Sequence, residues 1–227
     1  MSQLTYAIGD IHGCSDHLHA LLGVIEDHRA GRSRRLVFLG DYIDRGPKSA
    51  DVIAHLRALQ MAEPGDVICL AGNHEDMLVR ARHEREGFWN WIENGGRETL
   101  QSYGVARVDD LPAHDVAWMA ALPTLHEDGQ RYYVHAGLRP GRPMEREDRR
   151  THLWIRGAFL DDDCDFGKHV VHGHTPQASG IPEVRRHRTN LDTGCVYGRA
   201  LTAGVFTHEH GPAVEFLAVG FSEIGTR

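Results

Sequence analysis

No two of the four cysteines, Cys14, Cys69, Cys164 and Cys195, form a CxxC pair, so the sequence carries neither a zinc-ribbon nor a thiol-redox signature. A reducing compartment is the simplest expectation. No basic segment or long apolar run precedes residue 9, and no later run is long enough to cross a bilayer. A cytoplasmic location without a membrane partner is therefore expected. Basic residues are also in deficit, with 25 Lys and Arg against 32 Asp and Glu and a formal charge of −7. That deficit argues against binding to duplex nucleic acid, whose affinity rests on a basic surface. It leaves an anionic substrate open, because bound cations can neutralise several of the carboxylates. Repeats and low-complexity stretches are missing too. What remains, 227 residues, fits one α/β domain over 1–227 with a core that needs no staples.

Three strand–loop–helix units follow one another from the start of the chain. The apolar run Leu4 to Ile8 reads as a buried strand and empties into Gly9-Asp10-Ile11-His12-Gly13. A helix follows from Ser15, with Leu18, Leu21, Leu22 and Ile25 at helical spacing and Ser15 or Asp16 placed to cap it. Leu36 to Leu39 is a second strand and ends in Gly40-Asp41, ahead of a helix from about Ser49. Val67 to Leu70 is a third, ending in Gly72-Asn73-His74-Glu75 before a helix through Met77, Leu78 and Ala81. Polar residues after each strand describe the ligand edge of a layered α/β sheet.

Residues 85–125 read as a helical cap beside the core. Tyr132 to Val134 is a strand ending at His135-Ala136-Gly137, and 139–150 reads as a mobile loop. Val170-Val171 delivers His172-Gly173-His174-Thr175, and the segments at 190–192, 201–206 and 214–219 alternate like antiparallel strands.

The polar residues found directly after strands are Asp10, His12, Asp41, Asn73, His135 and His174. Asp10, His12 and Asp41 can hold one divalent ion, and Asp41, Asn73, His135 and His174 a second. Asp41 is the natural bridge, since a carboxylate has two oxygens. The mixture of carboxylate oxygen and imidazole nitrogen suits Mn, Fe or Zn better than Ca or Mg. Two such ions about 3.5–4 Å apart, sharing a hydroxide, are arranged for in-line attack on phosphorus.

The ordered set GDIHG, GDYIDRG, GNHE, HAG and HGHT resembles the calcineurin-like metallophosphoesterases, and more narrowly the phosphoprotein phosphatases with their short bacterial and phage members. The resemblance spans Gly9 to Thr175. It implies a central β-sandwich flanked by helices, the six ligands above, and two divalent ions, most often Mn and sometimes Fe or Zn. It further implies that His74 is the general acid and Asp44 its supporting carboxylate. Arg45 and Arg156 match phosphate-clamping arginines, whose planar forks grip phosphate oxygens in pairs. His172 is read as a structural neighbour, Cys195 as a buried structural thiol, and His17, His55, His114 and His208 as ordinary exposed residues.

Three functions are weighed on this basis. The first is a phosphomonoesterase acting on phosphoserine or phosphothreonine in proteins, with phosphotyrosine as a further target, by direct attack without a phosphoenzyme. The second is a hydrolase of dinucleoside tetraphosphates or capped RNA ends built on the same metal core. The third is a metal-binding regulatory module, disfavoured because all six ligands, His74 and Asp44 are present. Asp44 within GDYIDRG and the HGHT form of the last motif favour the protein phosphatase, whereas Gly46 to Ser49 and LDTGCVYG occur in similar form in the dinucleotide branch. A phosphoprotein phosphatase is the expectation.

Overall fold

Leu4–Ile8 is buried at all five positions, which a strand with one wet face could not be. The computed structural model describes residues 3–224 (145 by its backbone alone) and shows what covers both faces. β1 (Leu4–Ile8), β2 (Arg34–Phe38) and β3 (Val67–Cys69) run parallel. Their connections are α1 (Ser15–Arg29) and α2 (Ser49–Ala62), and α3 (Asn73–Ala81) follows β3. The segment beyond holds α4 (Arg85–Trp91), a single π turn at Ile92–Gly96, α5 (Arg97–Ser102) and α6 (Ala113–Ala121). The second half contributes β4 (Leu125–Glu127), β5 (Arg131–Val134), α7 (Arg149–Trp154), α8 (Gly157–Leu160), β6 (His169–His172), β7 (Glu183–Val184), β8 (Arg188–Asn190), β9 (Leu201–Phe206), β10 (Glu215–Val219) and α9 (Phe221–Ile224).

Two five-stranded mixed sheets result, in the orders β10-β9-β1-β2-β3 and β4-β5-β6-β8-β7. Strand alternation assigns each face. Leu4, Tyr6 and Ile8 with Leu36 and Phe38 turn outward onto Leu18, Leu21, Ile25, Val52, Ile53 and Leu56 of the first helices. Ala7, Val37, Leu39 and Leu70 turn inward and meet Tyr133, Val171 and Leu191 of the second sheet, which closes the sandwich. Val134 and Val170 face the other way, onto Leu138 and Phe159. Helices thus cover both outer faces, and the layered α/β sandwich is the architecture observed.

Several local expectations are corrected. Neither Ser15 nor Asp16 caps α1; Cys14 holds the cap position without a side-chain hydrogen bond. The 139–150 stretch contains a 3₁₀ turn at Met144–Arg146 and the start of α7, capped by Asp148, whose carboxylate accepts the Thr151 N–H at 2.8 Å. β8 is parallel to β6 and antiparallel only to β7, because a crossover rather than a hairpin brings it in. β9 is buried at all six positions, since β1 and β10 flank it and both its faces are covered.

Candidate metal centre

Parallel strands bring their C-terminal ends to one edge, and that edge gathers the motifs. Asp10 and His12 follow β1, Asp41 and Asp44 follow β2, Asn73 and His74 open α3, His135 follows β5 and His174 follows β6. Asp10, His12, Asp41, Asn73, His135 and His174 are all buried. The backbone bends hard to aim them. His12, Asp41, Asp44, Arg45 and His174 have φ between 45° and 72°, and among the described residues only Ala30 shares that left-handed region without being glycine. Such conformations cost on the order of 1–3 kcal/mol each and gather at functional sites. Gly72 and Gly173 are required by close approach, because a Cβ at either would strike the carboxylate of Asp41 or Asp10.

His12 and His135 turn bare ring nitrogens toward the carboxylates, with no proton of their own to share there. His135 Nδ1 lies 2.9 Å from the Leu39 carbonyl and must donate to it, which leaves a lone pair on Nε2. That Nε2 lies 2.9 Å from Asn73 Oδ1, 3.4 Å from Asp41 Oδ1 and 3.1 Å from His174 Nδ1. His12 Nδ1 likewise donates to the Ile43 carbonyl at 2.8 Å, and its Nε2 lone pair sits 3.5 Å from Asp41 Oδ2. Asp10 lies against the other side, its oxygens 3.1 and 3.2 Å from the His174 backbone N–H. A cation reconciles such a set, and the residues present fit divalent ions.

Electrostatics agree with that fit. Burial holds His12 down at about 3 and His135 below its ordinary value, so both rings are neutral and able to ligate. Burial also raises Asp10 well above the carboxylate range, with the nearby Asp192 and Asp41 charges adding to it. Asp192, buried behind Asp10, is pushed up to about 7 by burial and by Asp41. Three carboxylates in one dry place call for positive charge.

His74 points its Nε2 toward the same cradle, 3.9 Å from Asp41 Oδ2, while its Nδ1 meets Asp44 Oδ2 at 2.7 Å. Burial lowers its proton affinity, but the Asp41 and Asp44 carboxylates outweigh that and the net shift is upward. Arg45 is half-buried with Nη1 2.8 Å from His12 Nε2, and the exposed Arg156 donates from Nε to His174 Nε2 at 3.0 Å. The structure therefore brings all ten residues singled out in the sequence to one edge.

A family model for calcineurin-like phosphoesterases matches residues 5–212. This chain belongs to the calcineurin-like phosphoesterase family. Divalent metal ions go with that membership, and the clustered donors His12 and Asp41, and Asp41, His135 and His174, are candidates to hold them. Within the metallophosphoesterases the chain is 28% identical to the asymmetrical bis(5'-nucleosyl)-tetraphosphatase PrpE of Oceanobacillus iheyensis, covering 93% of this chain and 90% of that one. Further bacterial relatives at 27–29% identity carry the same name. A solved structure provisionally named a diadenosine tetraphosphatase superposes with a TM-score of 0.68 at 22% identity, over 97% of this chain and 94% of that one.

The expectation of a phosphoprotein phosphatase is overturned by these relatives. Protein phosphatases do share the fold, as a cold-active protein tyrosine phosphatase shows with a TM-score of 0.65 over 92% of this chain and 75% of that one. Its identity is 17%, so that likeness speaks for the fold alone. Asp44, the residue that favoured the phosphatases, supports His74 whatever ester lies beyond it and so says nothing of the substrate.

Four residues of the metallophosphoesterase site escaped the sequence reading. Glu75 is fully buried and accepts the backbone N–H groups of Asp41, Tyr42 and Gly72 at 2.8–2.9 Å, which locks the Asp41 loop to the start of α3. Burial and the Asp41 charge push its carboxyl up to about 7. Trp91 donates its indole N–H to both Asp44 oxygens, and the Thr99 hydroxyl donates to Oδ1 at 2.6 Å. The helical segment beyond α3 thus builds the His74–Asp44 pair rather than merely flanking it. Asp192 is the fourth; its place directly after a strand was the available signal.

His172 is buried against Phe159, with ring centroids 5.0 Å apart, on the face away from the cradle. Cys195 is buried and free. His17 corrects its reading: it is buried, within 4.8 Å of Cys14 and Cys195 by their ligand atoms, because it continues the Leu21–Ile25 stripe of α1. His55 is half-buried and close to His19, while His114 and His208 are exposed as read. No helix among the described residues is long and apolar enough to cross a membrane.

Proposed function

We propose that this chain hydrolyses dinucleoside tetraphosphates asymmetrically, releasing a nucleoside monophosphate and a nucleoside triphosphate. The observation that carries the proposal is the similarity over 93% of the chain to a protein named for that activity. The site's chemistry is in keeping with it. A tetraphosphate chain is a dense polyanion, and Arg45 and Arg156 stand on either side of the ligand set, against His12 and His174.

Asp10, His12 and Asp41 would hold one divalent ion, and Asp41, Asn73, His135 and His174 another. Manganese is our assignment, with iron or zinc next, for this mixed oxygen and nitrogen set. When bound, the ions supply an acidified water and a Lewis-acid clamp on the phosphoryl oxygens. Arg45 and Arg156 bind non-bridging oxygens and hold the scissile phosphorus in line. His74 holds a proton at Nε2 for the departing oxygen, and Asp44 fixes the ring and stabilises its charged form. A polyphosphate leaves as a stable anion, so it asks less of His74 than an alkoxide would.

The test is turnover of diadenosine tetraphosphate by manganese-loaded protein, with products separated by anion exchange and bound metal counted by plasma mass spectrometry. AMP and ATP in equal amounts are expected. Two equivalents of ADP would overturn the asymmetrical assignment, and preferential cleavage of a phosphopeptide would overturn the substrate class.

A further inference from the structure

We infer that the cavity between α3, α4 and α7 seats one nucleoside end of the substrate, with Trp154 as the platform for its base. This rests on the tetraphosphatase reading above and adds to it a location and a recognition residue.

The cavity encloses about 560 Å³ and is bordered by Asp76, Met77, Arg80, Asn90, Arg150 and Trp154. That volume lies within the range of small-ligand sites, which span about 300–1,000 Å³. Its position is decided by Trp154. The indole ends α7, is 39% exposed, and has its ring centroid 6.2 Å from that of His174. Two residues on, Arg156 donates to the same histidine. A phosphate chain gripped by Arg156 therefore emerges beside the indole, with the cavity directly past it.

The walls have the chemistry of a nucleoside site. Met77, 3% exposed, supplies an apolar part of the lining. Bases stack on aromatic faces with little regard to sequence, which suits a platform on the rim. Asn90 is exposed and donates its amide N–H to Met77 Sδ at 3.2 Å, which leaves its amide oxygen and second N–H for the base edge. Asp76 is neutralised by Arg80 and Arg149, each 2.9 Å away. Arg150 has no carboxylate partner among the described residues, so the rim is net cationic where the phosphates would pass.

A hollow of about 360 Å³ on the other side of α7 shares Trp154 and Arg150 but has neither Met77 nor Asn90, and the larger hollows lie elsewhere. One between α2 and α6 and one between α1 and β10 include no residue that contacts a ligand side chain of the cradle.

The experiment compares kcat/KM on diadenosine tetraphosphate and on p-nitrophenyl phosphate, which uses the same cradle and carries no nucleoside. Trp154→Ala is expected to lose about tenfold more on the dinucleotide than on the nitrophenyl ester, chiefly through KM, and Trp154→Phe to recover most of that difference. AMP as a competitive inhibitor of nitrophenyl phosphate cleavage should weaken in parallel. Asn90→Ala, on the exposed side of α4, provides a second variant with the same selective loss if Trp154→Ala folds poorly. Equal losses on both substrates, or no change in AMP inhibition, would overturn the subsite. Wild-type protein that cleaves the nitrophenyl ester and is inhibited by AMP through Trp154, yet leaves the dinucleotide intact, would overturn the tetraphosphatase reading and leave the subsite standing.

Discussion

The two ends of the central strands carry similar side chains to opposite effect. At the N-terminal ends most buried or half-buried charges have an opposite partner, and the two that have none among the described residues, Arg35 and Asp66, are of opposite sign. Arg34 opens β2 and pairs with Glu26 and Glu63, Arg131 opens β5 and pairs with Asp128, and Arg188 opens β8 and pairs with Glu183. At the C-terminal ends Asp10, Asp41 and Asp192 are buried together, and the His12 and His135 imidazoles offer lone pairs rather than charge. One edge is closed electrostatically and the other is left negative. An uncompensated cluster of buried carboxylates is costly for stability alone, so it marks the edge reserved for cations.

The largest break in this comparison comes from Asp41→Asn. Turnover should fall to background and bound metal should drop, since both proposed ion sites lose their shared carboxylate. The metal-stripped variant should also be less stable than the metal-stripped parent, because the Asp41 carboxylate accepts the His74 backbone N–H at 3.1 Å and, although burial opposes its charge, the surrounding imidazoles hold it below its ordinary value. Metal analysis beside chemical denaturation reads both, and a variant that keeps its metal and its rate would end the argument for this edge. His74→Asn comes next. A lost general acid costs about 10²–10⁴-fold with an alkoxide leaving group, such as an alkyl phosphate gives, and less with a polyphosphate. Equal losses on an alkyl phosphate and on diadenosine tetraphosphate would remove His74 from the leaving-group side.

The open edge was the legible one. Asp10, His12, Asp41, Asn73, His135 and His174 each follow an apolar run within a few residues, so strand endings and the candidate ligands gathered at them could be read from the same short stretches. Long-range partners left no such trace. Trp91 and Thr99 reach Asp44 across 47 and 55 residues, and their helices read only as a cap. Substrate was illegible for a related reason. On the proposed function the five motifs build the floor, whereas Trp154, Asn90 and Arg150 of the inferred subsite lie outside all five. Reading the substrate from Asp44 took a partner of His74 for a mark of the ester.

The closed edge is tested by Arg131→Met. Arg131 is 2% exposed and donates to Asp128 and to the Thr207 and His210 carbonyls, so its loss removes the donor of two acceptors and the cation beside Asp128, which keeps the Gln130 and Arg131 N–H groups and the Tyr133 hydroxyl. Leaving those groups without their donor costs about 1–3 kcal/mol, which lowers the melting temperature by roughly 5 °C in a chain of this size. Turnover per folded molecule should be unchanged, the reverse of Asp41→Asn. Glu75→Gln falls between the two edges. It disturbs three backbone contacts that hold the Asp41 loop, and metal affinity should weaken about 10–100-fold, as for groups that orient ligands. Unaltered affinity in a metal titration would make Glu75 a helix cap and nothing more.

The smallest effect sharpens the closed edge by pH. His169 opens β6 and meets Thr189 Oγ1 through Nε2 at 2.8 Å, with Arg131, His187 and Asp163 the charged groups around it. Burial holds its ring down at about 4 against an ordinary 6.5, with the Arg131 charge acting in the same direction. Between those values the unfolded chain binds a proton that the folded chain refuses. This contribution to stability is therefore complete above about pH 6.5, declines as pH falls toward 4, and changes no further below it. His169→Gln cannot take up that proton in either state, so the difference between its denaturation midpoints at pH 7 and pH 4.5 should be smaller than the parent's. The ligand histidines also protonate in acid, but they do so in both proteins and cancel. An identical pH dependence would mean that His169 is solvated at the strand's end, and that the closed edge is held by its arginine pairs alone.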